Sequence, residues 1–385
     1  MTESPPSAVS CLLPGPLDSG LMKEALEDAR EKLAAPPDLA ICFVSSDFRK
    51  SLPDLIEHFQ IDGHATTLVG ASASGLLGVG QESENQTGIS FLLLRLPGVE
   101  ITRESDFSSR PRRSTPPPAG AIVLAHPFRS SAGEMTTSLQ ERFPRTPVLG
   151  GQISGGPELD DLFLFTEEGI SREPMLTITF SGAIRMEPLV AQACRPIGEP
   201  LIVTGAQGTS LTSIASRKPL QVLEDAFTEL TLRDQETAQG NIFAGVAIEE
   251  EREEFTSGDF LIRPILSADL DRGELELSSP TRVGQTLQFQ LRSPAVATET
   301  LKAECDHLFE AHGKPFASLL FAGRERGVEL FGEDNHDINI FENNFGSLPV
   351  AGIFGSGEIG PAGNRLFHHD HSFCGALFYP QENAD

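Results

Sequence analysis

Basic residues are scarce in this 385-residue chain: 29 lysines and arginines stand against 55 aspartates and glutamates, for a formal charge of −26. A surface of that sign repels phosphate backbones and anionic headgroups, which counts against nucleic acid and membrane as partners. The local exception, Arg103 with Arg110, Arg112 and Arg113, lies around SSRPRRSTPPP, a stretch with the composition of a solvated linker. Long apolar runs are missing as well, and none approaches the roughly 18 residues needed to span a bilayer. Residues 1–16 contain Glu3, no basic residue and only a brief apolar patch. They lack the signal-peptide pattern, so a cytoplasmic protein is expected. The five cysteines, Cys11, Cys42, Cys194, Cys305 and Cys374, are odd in number and form no C-x-x-C pair. That argues against a disulfide framework and a zinc ribbon, and for reduced, mostly buried thiols. No G-x-x-x-x-G-K-S/T loop occurs, and no G-x-G-x-x-G turn opens a helix with a ribose-binding acid downstream, so no cofactor is expected. A G-x-S-x-G elbow is absent too, which leaves nucleophilic catalysis at Ser74, Ser154 or Ser356 without support.

What the chain does contain is a repeat. Gly70-Ala71-Ser72-Ala73-Ser74-Gly75, Gly150-Gly151-Gln152-Ile153-Ser154-Gly155 and Gly352-Ile353-Phe354-Gly355-Ser356-Gly357 each read G-x-x-x-S-G directly after two apolar residues. An apolar run precedes each by about thirty positions, and a second follows, at 89–94, 175–180 and 373–378. The repeated unit is therefore a strand, a helix-bearing connection, a short strand, the turn and a long strand. Such a unit cannot bury its sheet face alone, so the copies should pack on one another. Thr256-Ser257-Gly258 reads as a decayed fourth copy.

The remaining elements follow from periodicity. A helix capped by Asp18 or Ser19 carries Leu21, Ala25, Leu26, Ala29 and Leu33 and stops at Pro36-Pro37. Ser51-Leu52-Pro53 opens a second helix. After a boundary near 210–219, an amphipathic helix over 219–230 precedes strands at 242–248, 260–266, 275–277 and 287–291, and a helix follows over 294–312. The fold class expected is α/β, with two internally duplicated domains of mixed β-sheets flanked by helices.

Three places carry candidate chemistry. The turns at Ser74-Gly75, Ser154-Gly155 and Ser356-Gly357 are either tight packed corners or, if they converge, a polar concavity for a small anionic or zwitterionic ligand. The stretch from Ala322 to Asp337 combines glycines with Arg324, Asn335, His336 and Asp337. Arg324 is either a two-pronged clamp for a ligand carboxylate or the partner of an internal acid. Phe367-His368-His369-Asp370-His371-Ser372-Phe373-Cys374 has metal-binding composition. On a strand His369 and His371 would share one face and His368, Asp370 and Cys374 the other, which leaves a tetrahedral site unfinished unless His336 or Asp337 completes it. Metal binding is not expected there.

Gly323-Arg324, Leu330-Phe331-Gly332-Glu333, Asn335-His336-Asp337, Leu348-Pro349-Val350-Ala351-Gly352-Ile353-Phe354 and Gly357-Glu358-Ile359-Gly360-Pro361 resemble, in order and spacing, the C-terminal signature of the FIST proteins. Leu68-Val69-Gly70 through Gly80, and the strand ending Leu96-Pro97-Gly98, are similar to the FIST N-terminal domain. The resemblance implies an N-terminal helix and leader over 1–37, a FIST N-type domain over 38–210 and a FIST C-type domain over 211–385, in a stand-alone member. Phe321 and Gly355 stand where the family often has cysteine, and Ser356 where Asn or Ala is common, so cysteine chemistry does not carry over to these positions. The implied function is sensory: binding of an amino acid or related small carboxylate and a signal to a protein partner. Arg324 would hold the carboxylate and Glu358 or Asp337 the amino group. Asn335, His336 and Gly357 would line the site, with Ser74, Gly75, Ser154, Gly155 and Ser356 supplying hydroxyl and amide contacts. The alternatives are an interaction scaffold without ligand, or a hydrolase or transferase using Glu358, His336 and Asp337 as acid and base.

Overall fold

The computed structural model describes residues 5–104, 116–129, 131–156, 158–249, 255 and 258–381. Arg110, Arg112 and Arg113, and Thr256-Ser257 of the fourth turn, lie outside the described residues. The chain divides into two compact units, one of Met1–Val190 with Leu301–Asp385, the other of Ala191–Thr300. The division at 210 remains one of sequence.

The larger unit is three copies of one repeat. The first runs through β1 (Ser7–Pro14), α1 (Ser19–Leu33), β2 (Leu39–Ser45), α2 (Leu52–Ile61), β3 (Leu68–Ala73), β4 (Gly75–Gly78), β5 (Gln81–Glu84) and β6 (Gly88–Arg95). The second runs through β7 (Val99–Glu104), β8 (Gly120–Ala125), α3 (Ala132–Arg142), β9 (Val148–Gln152), β10 (Leu164–Thr166), β11 (Gly169–Ser171) and β12 (Met175–Gly182). The third opens with β13 (Ile184–Ala191), and the chain then forms the smaller unit. There it makes β14 (Cys194–Gln207), β15 (Ser210–Ile214), α4 (Pro219–Thr228), α5 (Leu232–Thr237), β16 (Ile242–Ala247), β17 (Phe260–Asp269), β18 (Glu274–Leu277) and β19 (Thr286–Arg292). The third repeat resumes through α6 (Pro294–His312), β20 (Ala317–Gly323), α7 (Val328–Phe331), α8 (His336–Phe345), β21 (Val350–Gly355), β22 (Gly357–Ala362), β23 (Arg365–His369) and β24 (Phe373–Pro380).

Each repeat pairs its two main strands in parallel, β2 with β3, β8 with β9 and β20 with β21. Its last strand returns antiparallel to the first of that pair, as β6, β12 and β24. The hairpin after each turn leaves for another sheet: β4 adds to β21, β22 to β9, and β10 to β3. Every six-stranded sheet is thus completed by a different repeat. The expected packing of copies on one another is met by strand exchange as well as by side-chain contact.

Alternation places the core. Leu39, Ile41 and Phe43 of β2 join Ile122 and Leu124 of β8 and Leu319 and Phe321 of β20 in one cluster shared by all three sheets. The intervening Ala40, Cys42 and Val44 face Met22, Leu26, Leu55 and Phe59 of α1 and α2. Strands buried on both faces read as unbroken apolar runs, which is why the sequence shows them so plainly. The carboxylate of Asp18 accepts from Gly20 and Leu21 N–H at 2.9 and 3.0 Å, and Ala34 closes α1 in the left-handed region. Leu21, expected on the inner stripe, is 56% exposed, and Met22 takes that place.

The smaller unit is a closed barrel in the order β14-β15-β18-β17-β16-β19. Its core joins Val203, Leu211, Ile214, Leu275 and Phe289 with Val222 and Ala226 of α4. No helix among the described residues is long and apolar enough to cross a membrane.

Candidate ligand-binding cleft

The first glycine of each turn is fixed by the strand beside it. A Cβ at Gly70, Gly150 or Gly352 would lie 2.3, 1.8 or 2.2 Å from the carbonyl oxygen of Cys42, Val123 or Leu320, each on the parallel partner strand. No side chain fits at that distance, so glycine is what lets the parallel pair close. The last glycines are equally enclosed: Gly75 by Phe354, Gly155 by the Asp161 carbonyl and Gly357 by the His368 ring.

The serines join the three turns. Ser154 Oγ donates to the Phe354 carbonyl and accepts from Ser74 N–H at 2.8 Å. Its single proton being used, the 3.1 Å contact with Ser74 Oγ has Ser74 as donor. Ser72 Oγ donates to the Ser154 carbonyl at 3.0 Å, and Ser356 N–H to the Gln152 carbonyl at 2.9 Å. The glycines are therefore packing devices, and the turns converge.

A cleft of about 390 Å³ opens over this junction. Ser74, Gly75, Asn85, Gly155 and Phe354 line one part of it, and Glu84, Arg324, Glu325 and Glu329 bring its charge. Arg324 follows β20, its N–H bonded to the Gly355 carbonyl at 3.0 Å, with its side chain 59% exposed. Nε lies 3.3 Å from Glu325 Oε1, and the two terminal nitrogens have no partner among the described residues. The loop carrying them is pinned by Glu84, whose Oε1 accepts from Val328 N–H at 2.9 Å. That carboxylate fills the space where a Cβ of Gly327, at φ 80°, would stand.

Residues 38–217 match the FIST N domain and residues 219–361 the FIST C domain. The chain belongs to the FIST family. FIST domains are associated with sensory signal transduction. Its relatives include the uncharacterized protein Rv0628c of Mycobacterium tuberculosis, 31% identical over 92% of this chain and 95% of the relative. The uncharacterized protein Mb0898c of Mycobacterium bovis is 30% identical over 92% and 94%. The cleft draws on both matched ranges, with Ser74, Glu84 and Gly155 in the first and Arg324, Glu329 and Phe354 in the second.

Of the site residues read from the sequence of this FIST protein, Ser74, Gly75, Gly155 and Arg324 line the cleft. Ser154 lies buried beneath it, and Ser356 and Gly357 complete the third turn. Asn335, His336, Asp337 and Glu358 are elsewhere, around a buried ion pair. Arg326, fully buried, forks onto Asp337 with Nε–Oδ2 at 2.6 Å and Nη2–Oδ1 at 2.9 Å. Burial alone would raise the Asp337 pKa, and the Arg326 charge and hydrogen bonds outweigh it and hold it low. His336 stacks on Phe331 at 3.6 Å, and Asn335 Oδ1 accepts from Glu82 N–H at 2.7 Å. Asp337 is thus engaged inside the protein, and Glu358 is fully buried with Oε2 accepting from Ser372 N–H at 2.9 Å. Neither lines the cleft, whose carboxylates are Glu84, Glu325 and Glu329. No local sequence signal marks Glu84, because it arrives on a hairpin that has joined another repeat's sheet. The alternation in Arg324-Glu325-Arg326, one arginine outward and the next inward, is the signal that separates the two.

The histidine-rich segment is not one strand. β23 ends at His369, and His371 adopts a φ of 61°, so the expected division of its side chains between two faces does not apply. His369 Nε2 lies 3.1 Å from the Gly360 carbonyl and His368 Nε2 3.1 Å from Gln152 Oε1. Among the described residues no three His, Cys, Asp or Glu side chains are placed to hold a metal ion. All five cysteines are free, and all but Cys11 are buried.

The buried cluster sets a pH dependence. Burial, then the Asp337 charge, push the Glu82 pKa up to about 8, and burial raises that of Glu358 well above the carboxylate range. Between the unfolded value near 4.5 and about 8, folded Glu82 keeps a proton that the unfolded chain has lost. Stability should therefore fall as pH rises through that window, by at most about 1.4 kcal/mol per pH unit for this group. In Glu82→Gln the slope should flatten. Urea denaturation of both proteins from pH 5 to 9 measures it, and equal slopes would show that Glu82 is ionised in the fold.

Proposed function

We propose that this FIST protein is a receptor for a small amino-acid-type ligand, held in the cleft over the three converging turns, and that occupancy is reported to a protein partner. The observation that carries this reading is Arg324: an exposed guanidinium with its terminal nitrogens uncommitted, among carboxylates, at the meeting point of three Gly/Ser turns. A guanidinium in that state binds a carboxylate through two parallel hydrogen bonds. Glu84, Glu325 or Glu329 accepts the ammonium group, and the Ser74 hydroxyl and the backbone at Gly75 and Gly155 offer further polar contacts. The absence of phosphate-loop signatures and the acid excess both favour such a ligand over a nucleotide.

Thermal-shift screening against amino acids and small carboxylates tests this. Ligand at about a hundred times its dissociation constant stabilises the fold by roughly 2.7 kcal/mol, a rise of several degrees. Arg324→Ala should abolish the rise while changing the stability of the unliganded protein by less than about 1 kcal/mol, since an exposed ion pair contributes no more. A response retained in full by Arg324→Ala would remove the anchor of the proposal.

A further inference from the structure

We infer that the ligand of this cleft is a basic amino acid, one carrying a second cationic group in addition to its ammonium and carboxylate, and that Glu329 selects it. The inference rests on the amino-acid reading of the cleft and extends it through the charge balance of the lining. Among the described residues that line the cleft, Arg324 is the one cationic side chain, against the carboxylates of Glu84, Glu325 and Glu329. Arg324 satisfies the ligand carboxylate, and one acid satisfies the ammonium group. A neutral amino acid then leaves a net charge of the same sign in the cleft as before it bound.

The carboxylates differ in what already holds them. Glu84 Oε1 is committed to Val328 N–H, and Glu325 faces Arg324 Nε at 3.3 Å and His371 Nδ1 at 3.6 Å. Glu329 makes no ion pair or hydrogen bond among the described residues, so it is the acid with full capacity for a cation. Desolvating three carboxylates beside one guanidinium costs free energy unless a cation enters with the ligand. The chain's overall charge of −26 adds a field that draws cations toward the protein. Other charged classes fail on one pole: a dicarboxylic amino acid brings a second carboxylate to an acidic wall, and a polyamine has no carboxylate for Arg324. A cleft of about 390 Å³ lies at the lower end of ligand pockets, roughly 300–1,000 Å³, as a ligand of amino-acid size requires.

Calorimetric titration of the full chain with L-arginine, L-lysine, L-leucine, L-glutamate and spermidine tests this. L-arginine or L-lysine should bind at least about tenfold more tightly than L-leucine, the worth of one partly desolvated charge pair. L-glutamate should be weakest, and in Glu329→Gln the ratio of L-arginine to L-leucine affinity should shrink to about threefold or less; an unchanged ratio would show that Glu329 does not select the second cation. Equal binding of L-leucine and L-arginine would overturn the second cation while leaving the amino-acid receptor standing. No binding of any amino acid would overturn both. Spermidine binding as tightly as L-arginine, undiminished by Arg324→Ala, would also overturn the inference, since the site would then be a cation trap without a carboxylate anchor.

Discussion

Arg326→Ala should destabilise the fold by about 3–5 kcal/mol, whereas Arg324→Ala, two residues away, should scarcely register. The difference lies in what each leaves behind. Arg326 and Asp337 are 0 and 1% exposed and share two short hydrogen bonds. Removing the guanidinium strands a buried carboxylate whose ionised form it does most to maintain, with a smaller contribution from His336, and it empties the space against Phe331 and Phe373, whose rings lie 5.4 and 5.7 Å from the guanidinium carbon. For a unit of this size the loss corresponds to a fall in melting temperature of roughly 6–20 °C. Replacing Arg326 and Asp337 together by apolar residues of similar volume should cost less than Arg326→Ala alone, because no charge is then left unpaired. Differential scanning calorimetry of the three variants beside the unsubstituted protein checks this. If Arg324→Ala and Arg326→Ala destabilise equally, the assignment of one arginine to the cleft and the other to the interior fails.

The second large effect belongs to the turns. Gly150→Ala places a methyl group 1.8 Å from the Val123 carbonyl, backbone against backbone, with no flexible side chain to give way. β8 and β9 must part to admit it, and about 3 kcal/mol or more of stability should be lost. Gly133, in the first turn of α3, is the control: nothing lies within 4 Å of its Cβ position, and Gly133→Ala should be neutral or stabilising by up to about 1 kcal/mol. Urea midpoints of the two variants measure the contrast. A Gly150→Ala protein as stable as Gly133→Ala would mean that the parallel pair is not closed as described.

Much of this architecture can be read in the sequence because its signals are local. The buried strands are unbroken apolar runs, the helix starts are marked by the Asp18 cap and by Pro53 in the first turn of α2, and the G-x-x-x-S-G motif repeats because one steric demand, a neighbouring carbonyl at Cβ distance, recurs three times. The hairpins are less legible. β5 reads Gln-Glu-Ser-Glu, shows no apolar alternation, and pairs within a sheet to which its own repeat does not contribute its main strands. That exchange is what carries Glu84 to the cleft and Glu82 to the buried ion pair. Composition likewise cannot tell Arg324 from Arg326. Only their alternation on a loop entering the interior does so, and it acquires meaning once Asp337 is known to lie inside.

The most direct test of the account is the crystal structure of the protein bound to the amino acid that gives the largest thermal shift. The account predicts ligand density between Phe354 and Arg324, with the ligand carboxylate on the Arg324 terminal nitrogens and its ammonium on one of Glu84, Glu325 and Glu329. Ligand density in another pocket, with the cleft over the three turns empty, would contradict it.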